Sequence, residues 1–197
     1  MGKAVIPIKD IEKELKLIRH LENRDKRVYI YWLIARSGAY RSTEVLNLTV
    51  EDIERCLNKG YFDFREQKTG KRRDLPIEQE THYILSEYIK GKSGYMVLFP
   101  SNKGYNQPLT YRQMQRLIKE YGLECGIKNI GTHTPRKSAS YQLYISTNGN
   151  IEEVKKLLGH ERTKDTYRYI DAEEESKLYR LKKTNSPFKL LMHEKNR

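Results

Sequence analysis

A histidine and a tyrosine at a fixed spacing near the end of the chain constrain its fold more than any other feature of the sequence. In the run Leu157-Leu158-Gly159-His160 the glycine can end a helix, and Tyr169 follows His160 by nine residues. Two basic segments lie upstream, around Arg41 and Arg136. A fold that uses these segments together must gather residues spread from position 41 to position 169.

The chain carries a large excess of positive charge. Its 197 residues include 38 lysines and arginines against 26 aspartates and glutamates, which gives a formal net charge of +12. Such a surface indicates a polyanionic partner. The length fits one domain. No apolar stretch reaches the roughly 20 residues of a transmembrane helix, and no secretory signal is present, so we expect no membrane partner.

The cysteine and histidine patterns argue against disulfides and bound metal. The only two cysteines of the sequence, Cys56 and Cys125, are too few for a disulfide framework and lack Cys-x-x-Cys spacing. This pattern is typical of proteins in a reducing compartment, so we predict a cytoplasmic protein. The five histidines include no His-x-x-x-His pair, which argues against a structural zinc site.

Helical periodicity accounts for most of the chain. Apolar residues recur at three- and four-residue steps, which predicts helices over residues 8–21, 25–36, 41–48, 78–90, 110–121 and 150–159, with another starting near Thr134. Gly38 should end the second of these helices, and Gly122 should follow the one that Thr110 and Gln113 open as a capping box. Residues 61–64 and 73–77 flank Lys68-Thr69-Gly70-Lys71, the pattern of two strands around a turn. The predicted fold class is mainly α with a small antiparallel β-sheet (α+β).

Tyr169 would need help to act as a nucleophile. At pH 7 a tyrosine with an ordinary pKa of ~10 is ionised in about one molecule in a thousand, so cations or a base must lie nearby. Guanidinium groups such as those of Arg41 and Arg136 would offset the negative charge that builds on a phosphodiester under attack. Lys68, on a hairpin, could protonate the leaving sugar oxygen. The combination predicts a nucleophile and a cationic cradle for one phosphate.

Each of these residues also has a purely structural explanation when it is taken alone. Tyr169 is one of 15 tyrosines and could be a packed aromatic side chain. Arg41 could simply pair with Glu44, three residues along. The lysine segment could be a plain turn, and His133 and His160 could be residues of helix ends. The ordered combination, rather than any single member, favours the functional interpretation.

The ordered segments resemble those of the tyrosine recombinases, the phage-integrase family, in their catalytic domain. The resemblance covers roughly residues 10 to 175 and implies the integrase catalytic-domain fold. It rests on these segments: Ser37-Gly38-Ala39-Tyr40-Arg41-Ser42-Thr43-Glu44-Val45-Leu46-Asn47-Leu48, Gln67-Lys68-Thr69-Gly70-Lys71 with Leu75-Pro76-Ile77, His133-Thr134-Pro135-Arg136, Leu158-Gly159-His160, and Thr166-Tyr167-Arg168-Tyr169.

The resemblance implies site-specific DNA recombination by cleavage and rejoining of strands. Tyr169 would form a 3′-phosphotyrosyl intermediate, which a 5′-hydroxyl of another strand releases. The implied roles are phosphate binding for Arg41, Arg136 and His160, general acid for Lys68, assistance to proton transfer for His133, and bracing of Arg41 for Glu44. Because the covalent bond keeps the phosphodiester energy, no cofactor, ATP or divalent metal is expected.

Three positions leave a choice open or differ from the family. Tyr167 is a rival to Tyr169 as nucleophile, and Lys71 is a rival to Lys68 as general acid. Tyr40 precedes Arg41 where the family more often has a small or aliphatic residue, so we expect different packing there.

The resemblance also implies partners and domain limits. We expect double-stranded DNA as substrate, a homotetramer on DNA with a monomer in its absence, and no small-molecule substrate. We predict a catalytic domain over residues 1–180 and a basic tail over residues 181–197, with no N-terminal core-binding domain. A fragment of a longer integrase and a minimal single-domain recombinase both remain open, as does docking of the tail on a neighbouring copy or on its own domain.

Other functions fit part of the sequence. A catalytically inactive DNA-binding module of the same fold would explain the basic surface, and a type IB topoisomerase would relax supercoils without exchanging strands. The short chain and its Leu-Gly-His segment favour the recombinase. RNA binding would fit the charge and the tyrosine content, but no Gly-Phe-Gly-Phe-like segment supports it.

Overall fold

The computed structural model describes residues 5–65 and 72–183, and the chain divides into two compact units, Met1–Ala139 and Ser140–Arg197. In chain order the elements are α1 (Ile11–Arg24), α2 (Lys26–Ser37), α3 (Ser42–Leu46), α4 (Val50–Lys59), β1 (Tyr61–Arg65), β2 (Arg72–Pro76), α5 (Gln79–Ile89), α6 (Tyr111–Glu124), α7 (Thr134–Ser146), α8 (Ile151–Leu158), α9 (Thr163–Tyr169) and α10 (Glu173–Lys183). The predicted class, mainly α with a small antiparallel sheet, is confirmed. Within the described ranges, no helix has both the length and the apolar character that crossing a membrane requires.

Helix α2 is a core helix of the first unit. Most of its residues are buried, namely Val28, Tyr29, Ile30, Tyr31, Trp32, Ile34 and Ala35. A helix that is apolar on nearly all sides needs neighbours around it. Helix α1 supplies one of them, since Leu17 and Leu21 belong to the same core cluster. Asp25 caps the start of α2, and the helix ends at Gly38, as predicted.

We did not predict helix α4 from the sequence. Its start carries a capping box, in which the side chain of Thr49 accepts a hydrogen bond from the Asp52 amide and the side chain of Asp52 accepts one from the Thr49 amide. Its end is Gly60 in the left-handed conformation. The predicted helix over residues 41–48 is shorter in the structure, because α3 ends at Leu46 and a turn leads to Thr49. The signals for α4, namely Thr49, Asp52 and Gly60, are present in the sequence, but we assigned them to no element.

The two strands pair in antiparallel register, with Phe62 opposite Leu75, as the sequence predicts. Strand β1 is tied to helix α4 by Asp63, whose carboxylate lies 2.6 Å from Lys59 Nζ and 3.4 Å from Arg55 Nε. Burial opposes ionisation of Asp63, but hydrogen bonds and the neighbouring cations hold its pKa below the usual value. The turn between the strands, residues 66–71, lies outside the described residues.

The second unit has its own apolar core, formed by Tyr141, Tyr144, Val154, Leu158, Ile170 and Ala172. Helix α8 follows Asn150 and ends at Gly159, as predicted. Gly159 has a φ of 68°, the left-handed conformation that commonly ends a helix. This end determines where the chain goes next, at His160.

Helix α6 begins with the predicted capping box, in which the Thr110 amide donates to Gln113 Oε1 at 2.8 Å. The predicted end before Gly122 is wrong, because the helix continues to Glu124. Gly122 is a packing position: a Cβ there would overlap the side chain of Ile130. The glycine therefore permits a close approach inside the core rather than a helix stop.

We expect Gly122→Ala to destabilise the chain by up to about 2 kcal/mol. Overpacking costs about 1–3 kcal/mol, which outweighs the ~1 kcal/mol that alanine gains over glycine in a helix. In an Ile130→Ala background the same change should become neutral or stabilising, because the overlapping atoms are gone. Urea denaturation of the four proteins measures this double-mutant cycle. An equal loss of stability in both backgrounds would contradict the packing explanation.

Candidate active site

Residues 38–41, which we call the arginine loop, connect α2 to α3. The amide of Tyr40 donates to the carbonyl of Ala35 at 3.1 Å, which fixes the loop to the last turns of α2. Ala39 is buried and has a φ of 49°, a left-handed conformation that residues with a side chain seldom adopt. The loop therefore has one defined shape, and it ends at Arg41.

Arg41 is held by Glu44 at two points. Its backbone amide donates to Glu44 Oε2 at 2.7 Å, and its Nη1 donates to Glu44 Oε1 at 2.9 Å. The Glu44 side chain is only 3% exposed, whereas that of Arg41 is 25% exposed. A buried carboxylate is stable only when it is paired, so Glu44 ties both the main chain and the guanidinium of Arg41. This is the bracing that the resemblance implied.

Arg136 reaches the same loop from helix α7. The residue is buried, and its Nη1 donates a hydrogen bond to the carbonyl of Ala39. Helix α7 begins at Thr134, whose hydroxyl accepts from the amide of Gly131 at 3.0 Å. Both predicted phosphate-binding arginines of the first unit are thus attached to the arginine loop, one as a member and the other by a hydrogen bond.

The carbonyl of Thr132 joins the His133 segment to two other elements. It accepts hydrogen bonds from the Tyr31 hydroxyl of α2 at 2.9 Å and from the Ser42 hydroxyl of α3 at 3.3 Å. The Thr132 amide donates to Gln115 of α6 at 2.8 Å. The helical periodicity over residues 25–36 gives Tyr31 only an apolar position on a helix. No local pattern could pair it with a residue 101 positions away, so the sequence carried no signal for this contact.

His133 lies half-buried among cations. Burial lowers its pKa, and the charges of Arg136, Lys137 and Arg41 lower it further. The imidazole is therefore neutral at pH 7 and can accept a proton. Its ring lies 6.3 Å from that of Tyr111, centroid to centroid.

The predicted general acid Lys68 and its rival Lys71 both lie outside the described residues. The structure describes only the strands β1 and β2 on either side of them. The choice between the two lysines stays a prediction.

In the second unit, His160 and Tyr169 lie side by side. Their ring centroids are 5.2 Å apart and the ring planes are nearly perpendicular, at 85°. His160 Nδ1 lies 3.1 Å from the hydroxyl of Thr166, a buried residue of α9, and the His160 amide donates to the carbonyl of Lys155 at 3.1 Å. The end of α8 and the helix α9 together thus set the position of the histidine beside the predicted nucleophile.

Tyr167, the rival nucleophile, packs in a different place. Its ring makes an edge contact with Tyr144, at 5.9 Å between centroids, and Tyr144 makes a second edge contact with Tyr179 at 5.3 Å. Both tyrosines pack against the core of the second unit, but Tyr167 lies beside the fully buried Tyr144, whereas Tyr169 lies beside His160. The assignment of Tyr169 stays a prediction, and this difference favours it.

The site residues therefore fall into two groups, each described within its own unit. Arg41, His133 and Arg136 form a cationic group in the first unit, and His160 and Tyr169 form a pair in the second. Two guanidinium groups beside a neutral imidazole can bind a phosphate and accept a proton. In residues 5–65 and 72–183, no three histidine, cysteine, aspartate or glutamate side chains form a group that could hold a metal ion.

The fold is that of a tyrosine recombinase catalytic domain. Superposition on the crystal structure of the XerA recombinase gives a TM-score of 0.69 at 20% identity, over 94% of this chain and 68% of XerA. Superposition on the XerH site-specific recombinase bound to its difH substrate gives a TM-score of 0.60 at 22% identity, over 85% of this chain and 51% of XerH.

The sequence comparisons identify the family. The model of the phage integrase family matches residues 9–176. The chain is 32% identical over 172 residues to the probable integrase/recombinase YoeC of Bacillus subtilis (strain 168), and the match covers 87% of this chain and 92% of YoeC. It is 29% identical over 162 residues to the tyrosine recombinase XerA of Pyrococcus furiosus, which covers 80% of this chain but only 55% of XerA. The chain belongs to the phage integrase family and is an enzyme of the tyrosine recombinase class.

The lowered pKa of His133 predicts a pH dependence of folding. Because the folded state binds the proton less tightly than the unfolded state, this residue contributes stability above about pH 6.5 that is lost as the pH falls. We expect the unfolding free energy of the wild type to fall more between pH 7.5 and pH 5.5 than that of a His133→Gln variant. Urea denaturation at the two pH values measures this difference, and equal losses in both proteins would contradict the prediction.

Proposed function

We propose that this chain is a site-specific DNA recombinase that cleaves and rejoins DNA strands through a 3′-phosphotyrosyl intermediate, with Tyr169 as the nucleophile. One observation carries the proposal: the two predicted phosphate-binding arginines share the arginine loop, since Arg136 is bonded to Ala39 and Arg41 lies two residues further on. Family membership and the side-by-side rings of His160 and Tyr169 support it.

The proposed reaction exchanges one phosphate ester for another. The phenol oxygen of Tyr169 forms a bond to phosphorus while the bond from phosphorus to the 5′-oxygen of the DNA breaks. Arg41 and Arg136 offset the charge on the non-bridging oxygens. Attack by a 5′-hydroxyl from another strand then breaks the phosphotyrosyl bond and restores the phenol. Because each step exchanges one ester for another, no ATP is consumed and no cofactor or metal is invoked.

The remaining predicted residues manage protons and orientation in this proposal. Loss of the phenol proton needs an acceptor, and His133, with a pKa lowered by burial and by Arg136, is in the neutral form that can assist. Lys68 would give a proton to the leaving 5′-oxygen. His160 would donate a hydrogen bond to the phosphate from its place beside Tyr169.

Double-stranded DNA is the proposed substrate. The net charge of +12 supplies the long-range attraction to a polyanion. The solved relative XerH is bound to its difH substrate, and an integrase of the same fold, that of transposon Tn1549, is in complex with a circular intermediate DNA. We infer that this chain acts on DNA in the same general way, in the cytoplasm.

We propose a catalytic domain over residues 1–180, supported by the family match over residues 9–176, and a basic tail over residues 181–197. We propose a homotetramer on DNA, because exchange of strands between two duplexes requires four cleavages. The chain spans about half the length of the XerA relatives, at 55% and 50%.

Tyr169→Phe should abolish the covalent adduct that the wild type forms with a nicked suicide substrate, because the variant lacks the attacking oxygen. Tyr167→Phe is the matched control, two residues away on the same helix, and should still form the adduct. Denaturing electrophoresis of labelled DNA measures both. An adduct from Tyr169→Phe in the same amount as from the wild type would contradict the assignment. If the wild type binds DNA but forms no adduct with any DNA tested, a DNA-binding module without catalysis would be favoured.

Glu44→Gln should slow adduct formation on the order of 10- to 100-fold, because a small misplacement of Arg41 weakens its hold on the phosphate. Glu14→Gln is the matched control, since Glu14 is another buried carboxylate of the first unit, 3.0 Å from Arg36 Nε and 5% exposed.

Both glutamine variants should lose about 1–3 kcal/mol of stability, because each weakens a charge-assisted hydrogen bond. Only Glu44→Gln should also slow adduct formation, because only this variant misplaces Arg41. Single-turnover adduct rates and urea denaturation of the two variants separate these effects. Equal rate losses in both variants would show that Glu44 acts only through stability.

A further inference from the structure

Tyr40, in the middle of the arginine loop, is nearly completely buried, at 2% exposure. Its ring makes edge contacts with two phenylalanines of strand β1, at 5.9 Å between centroids for Phe62 and 4.9 Å for Phe64. Edge contacts of this kind add about 0.5–1.5 kcal/mol each to the burial of the rings. The ring of Tyr40 therefore packs the arginine loop directly against the hairpin.

Gly38 makes room for this ring. A Cβ at position 38 would overlap the ring of Tyr40 and would lie 2.7 Å from Leu75 Cδ1 on strand β2. The φ of Gly38 is −117°, so the glycine is not required for a left-handed conformation. It is required because the ring of Tyr40 and the side chain of Leu75 converge on the same small space, and Leu75 is the register partner of Phe62 on strand β1.

The main chain on either side of the ring carries the phosphate-binding groups. Ala39 accepts the hydrogen bond of Arg136, and Arg41 is itself held by Glu44. The Tyr40 amide is bonded to Ala35 of α2, so the ring cannot shift without moving its two neighbours. A displacement of the hairpin would thus be transmitted through Tyr40 to both arginines, and the reverse.

We infer that Tyr40 is a positioning residue that holds strands β1 and β2 against the loop of the phosphate-binding arginines, and that proton donation by the lysine between these strands in sequence depends on this contact. The inference rests on the proposed function, because it assumes that the hairpin supplies a proton to the leaving oxygen. A shorter side chain at this position would keep an apolar contact but would leave the hairpin less firmly placed against the arginine loop. The residue therefore acts through the hairpin and has no contact with the reacting atoms.

A change of leaving group separates this role from ordinary packing. In DNA with a 5′-bridging sulfur at the scissile position, the phosphorus–sulfur bond breaks and a thiolate leaves. A thiol has a pKa of about 8.5, against about 16 for a hydroxyl, so the sulfur needs no general acid. We call ordinary DNA the oxygen substrate and the DNA with the bridging sulfur the sulfur substrate. A variant that misplaces only the proton donor will cleave the oxygen substrate more slowly and the sulfur substrate at the normal rate. A defect in phosphate binding or folding will slow both.

The test is the single-turnover rate of adduct formation by the full chain on the two substrates. We expect Tyr40→Leu to slow the oxygen substrate by 10-fold or more and the sulfur substrate by less than about threefold, while Tyr40→Phe, which keeps the ring, stays within about threefold of the wild type on both. Tyr121→Leu is the matched control, because Tyr121 is also buried, at 5% exposure, but packs against His20 of α1, and it should show no preference for sulfur.

Phe64→Leu approaches the same contact from the hairpin side and keeps the test decisive if Tyr40→Leu does not fold. It should show the same preference for the sulfur substrate, because it removes the nearer of the two ring partners of Tyr40. Equal slowing of both substrates by Tyr40→Leu and by Phe64→Leu would overturn the inference.

Lys68→Ala distinguishes a failure of this inference from a failure of the proposed function. If Lys68→Ala prefers the sulfur substrate and the Tyr40 and Phe64 variants do not, the general acid stands and the positioning role of Tyr40 is rejected. If Lys68→Ala slows both substrates equally, the proposed role of Lys68 fails and Lys71→Ala is tested in its place. If neither lysine variant prefers the sulfur substrate, the general acid between the strands fails and the inference falls with it. If the wild type forms no adduct with either substrate, the proposed function itself fails.

Discussion

The hydrogen bond from the Arg136 guanidinium to the Ala39 carbonyl is the interaction on which the arrangement of the first unit depends. It joins residues 97 positions apart and brings a cation from helix α7 onto the loop that already carries Arg41. A buried guanidinium is costly unless its donors are used, and a buried carboxylate is costly unless it is paired. The Ala39 carbonyl accepts a hydrogen bond from the buried guanidinium of Arg136, and Arg41 donates two hydrogen bonds to the buried carboxylate of Glu44. Two like charges can therefore be held close together in the absence of DNA, ready for an anion between them.

In the second unit, the predicted nucleophile Tyr169 is the last residue of the short helix α9. Helix α8 ends at a left-handed glycine, and the next residue, His160, is tied to the helix by its amide and to Thr166 by its ring. The ring of Tyr169 then lies 5.2 Å from that of His160 and nearly perpendicular to it, while Tyr167 packs toward Tyr144. The two tyrosines have different ring neighbours because residues two apart on a helix point in different directions around its axis.

Much of this arrangement could be predicted from the sequence, because helix ends and motif spacings are local. The ends of α2 and α8 at Gly38 and Gly159 and the start of α6 at Thr110 all follow from short-range chemistry. The functions of Gly38 and Gly122 could not be predicted, since a glycine that makes room for Tyr40 or Ile130 looks in sequence like one that stops a helix. The hydrogen bond from Tyr31 to Thr132 could not be predicted either, because the two residues are distant in the chain and tertiary contacts leave no periodic pattern.

The most direct test of the central claim is a crystal structure of the Tyr169→Phe chain with a DNA duplex that the wild type captures covalently. We predict that the guanidinium groups of Arg41 and Arg136 both lie about 3 Å from oxygens of the same phosphate, with Arg136 still bonded to Ala39 and Arg41 still bonded to Glu44. Arginines bound to two different phosphates, or an Arg136 that has left Ala39 while the DNA is bound, would contradict it.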